Sequence, residues 1–482
     1  MMYVLLHYSV SKVTRTPIWL LWLVLITPIL IWLVWTIAYG EEQPVPVDLI
    51  LIAMLFSSVV YWYLVHWGRR SERKQNLSAA STQMPEPAQS SSNHQETLSL
   101  IEPAEEETLR SCFPWSVFPL QKLEMRSQAV ICRGQLRSQS ETAYKTICQR
   151  IREQFGDRFL VVFQADSNNK PFFALVPNPY QESTRRNSNA ELNRPLLALA
   201  LMAVTLFTTT IAGAKMAGIT AETLQLNPGA LLQGLPYGVA LMAILGAHES
   251  AHYLMSQAHR IRSTLPYFIP VPFFLGTLGA FIQMRSPFPN RRALFDVSVI
   301  GPWVGLVITL PVLLWGLAHS EAISAPAEDV NILNFDAIDP SFSFLLTVLS
   351  KISLGDALTA SQAIDLHPVA IAGYLGLIVT AFNLLPIGQL DGGHMIHAML
   401  GQRNAVIVGQ LARLMILVLA VNRQEFWLLA LLLLILPLND EPALNDITEL
   451  NNARDMIGLV TLGVLLLILL PIPGAVAQLI NY

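Results

Sequence analysis

The feature that most restricts this chain is a series of apolar runs long enough to cross a bilayer. One extends from Ile18 to about Tyr39 and a second from Leu49 to Trp67. Further candidate spans follow at 195–214, 234–256, 293–318, 369–389, 404–422, 425–438 and 455–479. The charges agree with this reading. Residues 69–194 hold 17 of the 30 Lys and Arg and 14 of the 34 Asp and Glu, leaving 33 charged side chains for the other 356 residues. So few cannot coat a water-soluble surface. The expected architecture is a polytopic α-helical membrane protein with a small α/β soluble insert. It has about eight to nine transmembrane segments plus a re-entrant hairpin or loop. The net charge of −4 offers no broad basic surface, so nucleic acid is not expected as a partner. The lipid bilayer is.

Orientation follows from the flanking cations. Lys12 and Arg15 precede the first run, and Arg69-Arg70-Ser71-Glu72-Arg73-Lys74 closes the second. The positive-inside rule places the N-terminus and the insert on the cytoplasmic side. An N-terminal transmembrane hairpin thus occupies 1–68. Residues 69–110 are rich in Ser, Gln, Glu and Pro and read as a disordered linker. From 111 the pattern changes. Ala129–Cys132, Phe159–Phe163 and Phe172–Val176 read as strands. Tyr144, Ile147, Cys148, Ile151 and Phe155 fall at helical spacing. Asp166-Ser167-Asn168-Asn169-Lys170 is a hairpin turn signal. A β-α-β-β domain and its polar tether are expected over 111–194. The three cysteines, Cys112, Cys132 and Cys148, all lie there, and an odd count gives no disulfide framework.

The sharpest chemical signal lies inside an apolar run: His248-Glu249-Ser250-Ala251-His252. Two histidines four apart share one face of a helix and can grip one metal ion, with Glu249 beside them as a general base. An ionisable trio inside a membrane span is expensive unless it has a function. Two imidazoles leave a catalytic zinc site short of a ligand. Asp391, in Asn383-Leu384-Leu385-Pro386-Ile387-Gly388-Gln389-Leu390-Asp391-Gly392-Gly393, closes another apolar run at the same end of the membrane and is the best third candidate. Its glycines are expected to break the helix and let the backbone approach the metal. His394 and His397 follow at three-residue steps, either as ligand or hydrogen-bond partner near Asp391 or as residues of the membrane edge. Asp296 is read as an interfacial residue or part of a polar cavity. Residues 265–285 are apolar but broken by Pro266, Pro270, Pro272, Gly276 and Gly279, which suits a re-entrant loop or hairpin rather than a straight helix.

An intramembrane HExxH followed by Asn-x-x-Pro-x-x-x-Leu-Asp-Gly resembles the site-2 protease family of intramembrane zinc metalloproteases. Asn383, Pro386, Leu390, Asp391 and Gly392 match the second motif. The stretch from Pro266 to Pro270, Gly276 to Phe281, and Gly301-Pro302 is similar to the plastid and cyanobacterial branch, which carries an N-terminal soluble extension. Ala251 departs from the pattern, since many members have glycine there. The resemblance implies a membrane-embedded metalloprotease core over 195–400, with C-terminal transmembrane segments over 401–482. It implies one zinc ion held by His248, His252 and Asp391, with Glu249 catalytic. Asn383, Pro386, Gly276 and Gly279 are then expected to position substrate. The activity implied is endoproteolytic cleavage of transmembrane segments, as in regulated intramembrane proteolysis, with single-span membrane proteins as substrates. The membrane is either the plasma membrane or an internal photosynthetic one. The competing reading is a membrane scaffold or transport-related protein with a structural metal site; a structural site is normally closed by four protein ligands.

Overall fold

In the computed structural model the described residues run from 101 to 479, without 102, 127–128, 167–169, 179–193, 272–274, 325–337, 356–357, 359–361, 423–426 and 438–439. Five isolated residues before 101 are also described. The chain divides into two units, 1–95 and 96–482, and the second holds both the insert and the membrane core. The expected spans at 18–39 and 49–67, the linker up to 100 and most of the tether lie outside the described residues.

The insert forms a four-stranded antiparallel sheet with two helices. Its elements are α1 (Pro103–Ser111), β1 (Leu120–Arg126), β2 (Ala129–Gly134), α2 (Ser140–Phe155), β3 (Phe159–Ala165) and β4 (Pro171–Pro177). The strand order is β1-β2-β4-β3. Ala143, Ile147 and Ile151 are one turn apart on α2 and bury one stripe against the sheet. Phe163 and Phe173 stack at 4.1 Å in the core. The turn between β3 and β4 is closed by Asp166, whose N–H donates to the Lys170 carbonyl at 2.9 Å. Burial pushes the Cys132 thiol up to about 12 and Cys148 up to about 11, so both stay neutral and unreactive.

Two features correct the sequence reading. The supposed linker ends early. Helix α1 lies within 69–110, and Ile101 and Leu109 are fully buried in the insert's core. Acidic composition hid this helix: Glu105 and Glu106 stabilise its first turn, and Arg110 pairs with Glu106 one turn on. Strand β1 was also unread. A register shift between Leu120 and Lys122 spoils the period-two alternation that would have betrayed it.

The membrane core contains α3 (Pro195–Met216), α4 (Leu235–Ala258), α5 (Arg291–Leu317), α6 (Pro368–Leu384), α7 (Asp391–Leu400), α8 (Gln402–Asn422), α9 (Trp427–Ile435) and α10 (Asn452–Leu469). Among the described residues, five helices are long and apolar enough to cross a membrane: Pro195–Met216, Pro228–Ala258, Arg291–Leu317, Gln402–Ala420 and Asn452–Leu469. The chain is therefore a multi-pass membrane protein. The expected spans 369–389 and 425–438 are shorter helices of 17 and 9 residues, α6 and α9. The last span ends at Leu469, because Pro471 and Pro473 cannot continue it. Segment 265–285 is a hairpin, as expected: β5 (Tyr267–Pro270) pairs antiparallel with β6 (Thr277–Phe281). Helix α4 packs against α3, α5 and α6, which places His248 and His252 at the centre of the core.

Candidate metal centre

Helix α4 carries the HExxH residues. His248 and His252 are almost fully buried, one turn apart, and their Nε2 atoms lie 3.1 Å from each other. The Oδ2 of Asp391, the first residue of α7, is 3.2 Å from the Nε2 of His252 and 3.5 Å from that of His248. His252 and Asp391, 139 positions apart, thus meet at one point. Ligands around a tetrahedral zinc, each about 2.0–2.2 Å from the ion, stand about 3.3 Å from one another. The three side chains have that spacing, and their candidate ligand atoms all fall within 4.8 Å of one another.

The protonation pattern fits a cation as well. The Nδ1 of His252 lies 2.7 Å from the carbonyl of Val297 on α5. A carbonyl only accepts, so Nδ1 carries the proton and Nε2 keeps its lone pair toward Asp391 and His248. Electron-rich atoms converging in a buried site need a positive charge between them. Two nitrogens and one carboxylate oxygen form a donor set suited to zinc, with three protein ligands and one side left open.

Helix α5 makes room for the imidazoles. A side chain at Gly301 would strike the ring of His252, and one at Gly305 would sit 3.1 Å from the Nδ1 of His248. The Gly301-x-x-x-Gly305 spacing, the small-residue signature of close helix packing in membranes, is the signal that points to this role. Val297 and Gly305 were not singled out from sequence.

The open side faces a cavity of about 250 Å³. Glu249 lines it, with Asn383, Phe281, Ile282, Met284 and His394. The Nδ2 of Asn383 is 3.3 Å from the Nε2 of His248, so this amide touches a candidate ligand directly. Of the expected substrate-positioning residues, the structure brings only Asn383 to the cavity. Pro386 lies in the turn between α6 and α7 and is not part of the lining. Gly276 packs instead on α3, where its carbonyl accepts from the Thr208 hydroxyl at 2.7 Å. Gly279 lies on β6 with open space beside it. The glycines after Asp391 also act otherwise than expected. They continue α7 rather than break it, and side chains there would collide with the carbonyls of Leu384 and Gly388. They let α7 start tightly against the preceding turn, which fixes where Asp391 points.

Residues 237–421 match the profile of peptidase family M50. The match takes in His248, His252 and Asp391, and agrees with the resemblance that the two motifs carry. Residues 107–183 match the EGY3 middle domain. The chain is 28% identical over 366 residues to the probable zinc metalloprotease EGY2, chloroplastic, of Oryza sativa subsp. indica, covering 75% of this chain and 65% of that one. It is 27% identical over 414 residues to the probable zinc metalloprotease EGY1, chloroplastic, of Arabidopsis thaliana, covering 78% and 73%. A third relative, the probable zinc metalloprotease EGY3, chloroplastic, of Oryza sativa subsp. indica, is 26% identical over 314 residues, covering 62% and 52%. The chain thus spans just under two thirds of the length of the first of these relatives. No solved structure matches it.

Proposed function

We propose that the chain is an intramembrane zinc endopeptidase that cuts transmembrane segments of single-span membrane proteins. The observation that carries this reading is the meeting of His248, His252 and Asp391 on one wall of a cavity that also holds Glu249. Three protein ligands and an open side favour catalysis over a structural site, which four ligands would close. Zinc bound there supplies Lewis acidity and lowers the pKa of water toward about 7.

The side chains then have separate tasks. Glu249 takes a proton from the attacking water on one of its carboxylate oxygens and returns it to the leaving amine. His252 stays in one tautomer because the Val297 carbonyl holds its Nδ1 proton. Asn383 offers its amide to the substrate backbone from the cavity wall. A transmembrane helix hides its peptide bonds, so it must unwind locally before it is cut. The β5–β6 hairpin gives the unwound segment a strand edge to pair with. Proline at several positions within 276–281 is expected to reduce cleavage without loss of zinc; undiminished cleavage would remove the hairpin from the reading.

Chloroplastic relatives favour an internal photosynthetic membrane as the location. The cations at 69–74 favour the cytoplasmic or equivalent side for the insert. The decisive experiment compares the purified chain with Glu249→Gln on a panel of single-span membrane proteins, with and without a zinc chelator. Cleavage that vanishes in the variant and with chelator, while the variant keeps its zinc, is the expected result. Absence of zinc in the unaltered chain would end the proposal.

A further inference from the structure

Segment 440–448 lies beyond the region matched to family M50, yet it touches both the insert and residues that line the metal-site cavity. On one side it extends the insert's sheet. Phe163, on the outer strand β3, donates its N–H to the Leu444 carbonyl at 2.7 Å, and Asp446 donates to the Phe163 carbonyl at 2.9 Å. Ile447 packs against the insert's core, and the Thr448 hydroxyl reaches Ser140 at the start of α2. On the other side, Leu444 donates to the Phe288 carbonyl at 2.8 Å and Asn445 to the Pro289 carbonyl at 3.1 Å. Phe288 lines the metal-site cavity, and Asn290 caps α5.

The side chains of the same segment grip α7. The imidazole of His397 is fully buried between two carboxylates: its Nδ1 is 2.6 Å from Asp440 and its Nε2 3.0 Å from Asp446. Both ring nitrogens therefore donate. Asp440 also stands 2.9 Å from the Nδ1 of His394, an ion-pair contact outside hydrogen-bonding alignment, and His394 lines the cavity. Helix α7 begins with Asp391. A ten-residue helix is stiff over its length, so what holds His397 also sets where Asp391 points.

We propose that His397 is a positioning residue for Asp391, and that segment 440–448 is a strap through which the seating of the soluble insert sets the geometry of the metal-ligand triad. The seated insert is the competent state. Outer strand β3 already has the strap as its partner, so any molecule that pairs with β3 must displace it and loosens Asp391 in doing so. A coupling claim of this kind needs an element both sites bias, and the strap is that element. The inference rests on the zinc-site reading.

The test uses the full chain in detergent, as purified and as Asp440→Asn, Asp446→Pro and His397→Gln. Hydrogen exchange is followed in 159–165 and 391–400, together with the rate of zinc loss to a chelator and the visible absorption of the Co²⁺-substituted protein. Asp446→Pro removes both the N–H to Phe163 and the carboxylate to His397. Faster exchange in both stretches, zinc loss about tenfold faster and shifted Co²⁺ bands are expected, as for other groups that support metal ligands. A gentler variant leaves the strap and α7 untouched. Glu141 on α2 faces Arg292 on α5 at 3.4 Å. Glu141→Arg is expected to speed zinc loss about two- to threefold, as loss of an exposed pair should, and adding Arg292→Glu to restore it. If exchange at 159–165 rises while zinc loss and Co²⁺ bands stay unchanged, the strap is only a staple and the proposal fails. A chain that holds zinc in the strap-dependent way yet cuts nothing would defeat the protease reading alone.

Discussion

Arg454 on α10 grips Asp296 on α5 through a two-pronged contact, Nε to Oδ1 and Nη2 to Oδ2, each 2.7 Å. The same carboxylate reaches the Nε2 of His259, just beyond the end of α4, at 3.0 Å. One side chain thus joins α5 and α10 to the end of the helix that carries the candidate metal ligands. It is neither a lone interfacial residue nor part of the cavity lining. Asp296→Ala leaves a partly buried guanidinium without its partner, at a cost of about 1–3 kcal/mol. The expected result is a lower thermal midpoint in detergent, with a smaller drop for Asp296→Asn. An unchanged midpoint in Asp296→Ala would show that the contact contributes nothing.

Gly301 predicts a sharper effect. Its missing side chain is where the His252 ring sits. Gly301→Ala puts a methyl group against a candidate ligand atom, and such overpacking costs about 1–3 kcal/mol even where no ligand is involved. Bound zinc, measured by elemental analysis of the purified protein, should fall from one per chain toward none while helix content by circular dichroism is kept. A full complement of zinc in Gly301→Ala would mean that α5 does not pack on the triad as described.

What sequence revealed and what it hid divide along a physical line. His248, Glu249, His252 and Asp391 were legible because their chemistry is costly in an apolar run and their spacing is local to a helix turn or a short motif. Gly301 and Gly305 escaped a functional assignment because a glycine's role is an absence, visible only when a neighbour fills it. The buried grip on His397 escaped because Asp440 and Asp446 lie 43 and 49 positions from it, with no local spacing to tie them together. Helix α1 escaped because a single buried face, Ile101 and Leu109, is easily lost among Ser, Glu and Pro. Spans such as α6 and α9 were overestimated because apolar composition does not say where a helix stops.

The two hairpin glycines should behave differently from each other. Gly276 has a φ of 82°, and a side chain there would lie 2.5 Å from the Cα of Thr209. Gly279 has a φ of 109° and nothing within 4 Å. Gly276→Ala meets backbone strain and a backbone clash together, whereas Gly279→Ala meets strain alone, about 1–2 kcal/mol. Gly276→Ala should lower the thermal midpoint more. If Gly279→Ala instead proves the more damaging to stability, the hairpin does not rest on α3 through Gly276.

The grip on His397 should depend on pH. Burial alone would lower this imidazole, but the hydrogen bonds it donates to Asp440 and Asp446 and their charges outweigh it and raise it to about 9. For Asp440, burial would raise the carboxyl, yet His394 and His397 hold it down at about 2. Arg291 contributes a further positive charge facing Asp446. Linkage gives the sign. A histidine raised above its unfolded value of about 6.5 stabilises fully below that value and loses the contribution as pH climbs through about 9. An aspartate depressed below about 3.9 contributes above that value and loses it as pH falls through about 2. The strap is therefore held best between about pH 4 and 6.5 and loosens on the alkaline side. The difference in thermal midpoint between the unaltered chain and His397→Gln should shrink steadily from about pH 6.5 to 9. A difference that stays constant over that range would mean that His397 does not enter the fold as a cation between Asp440 and Asp446.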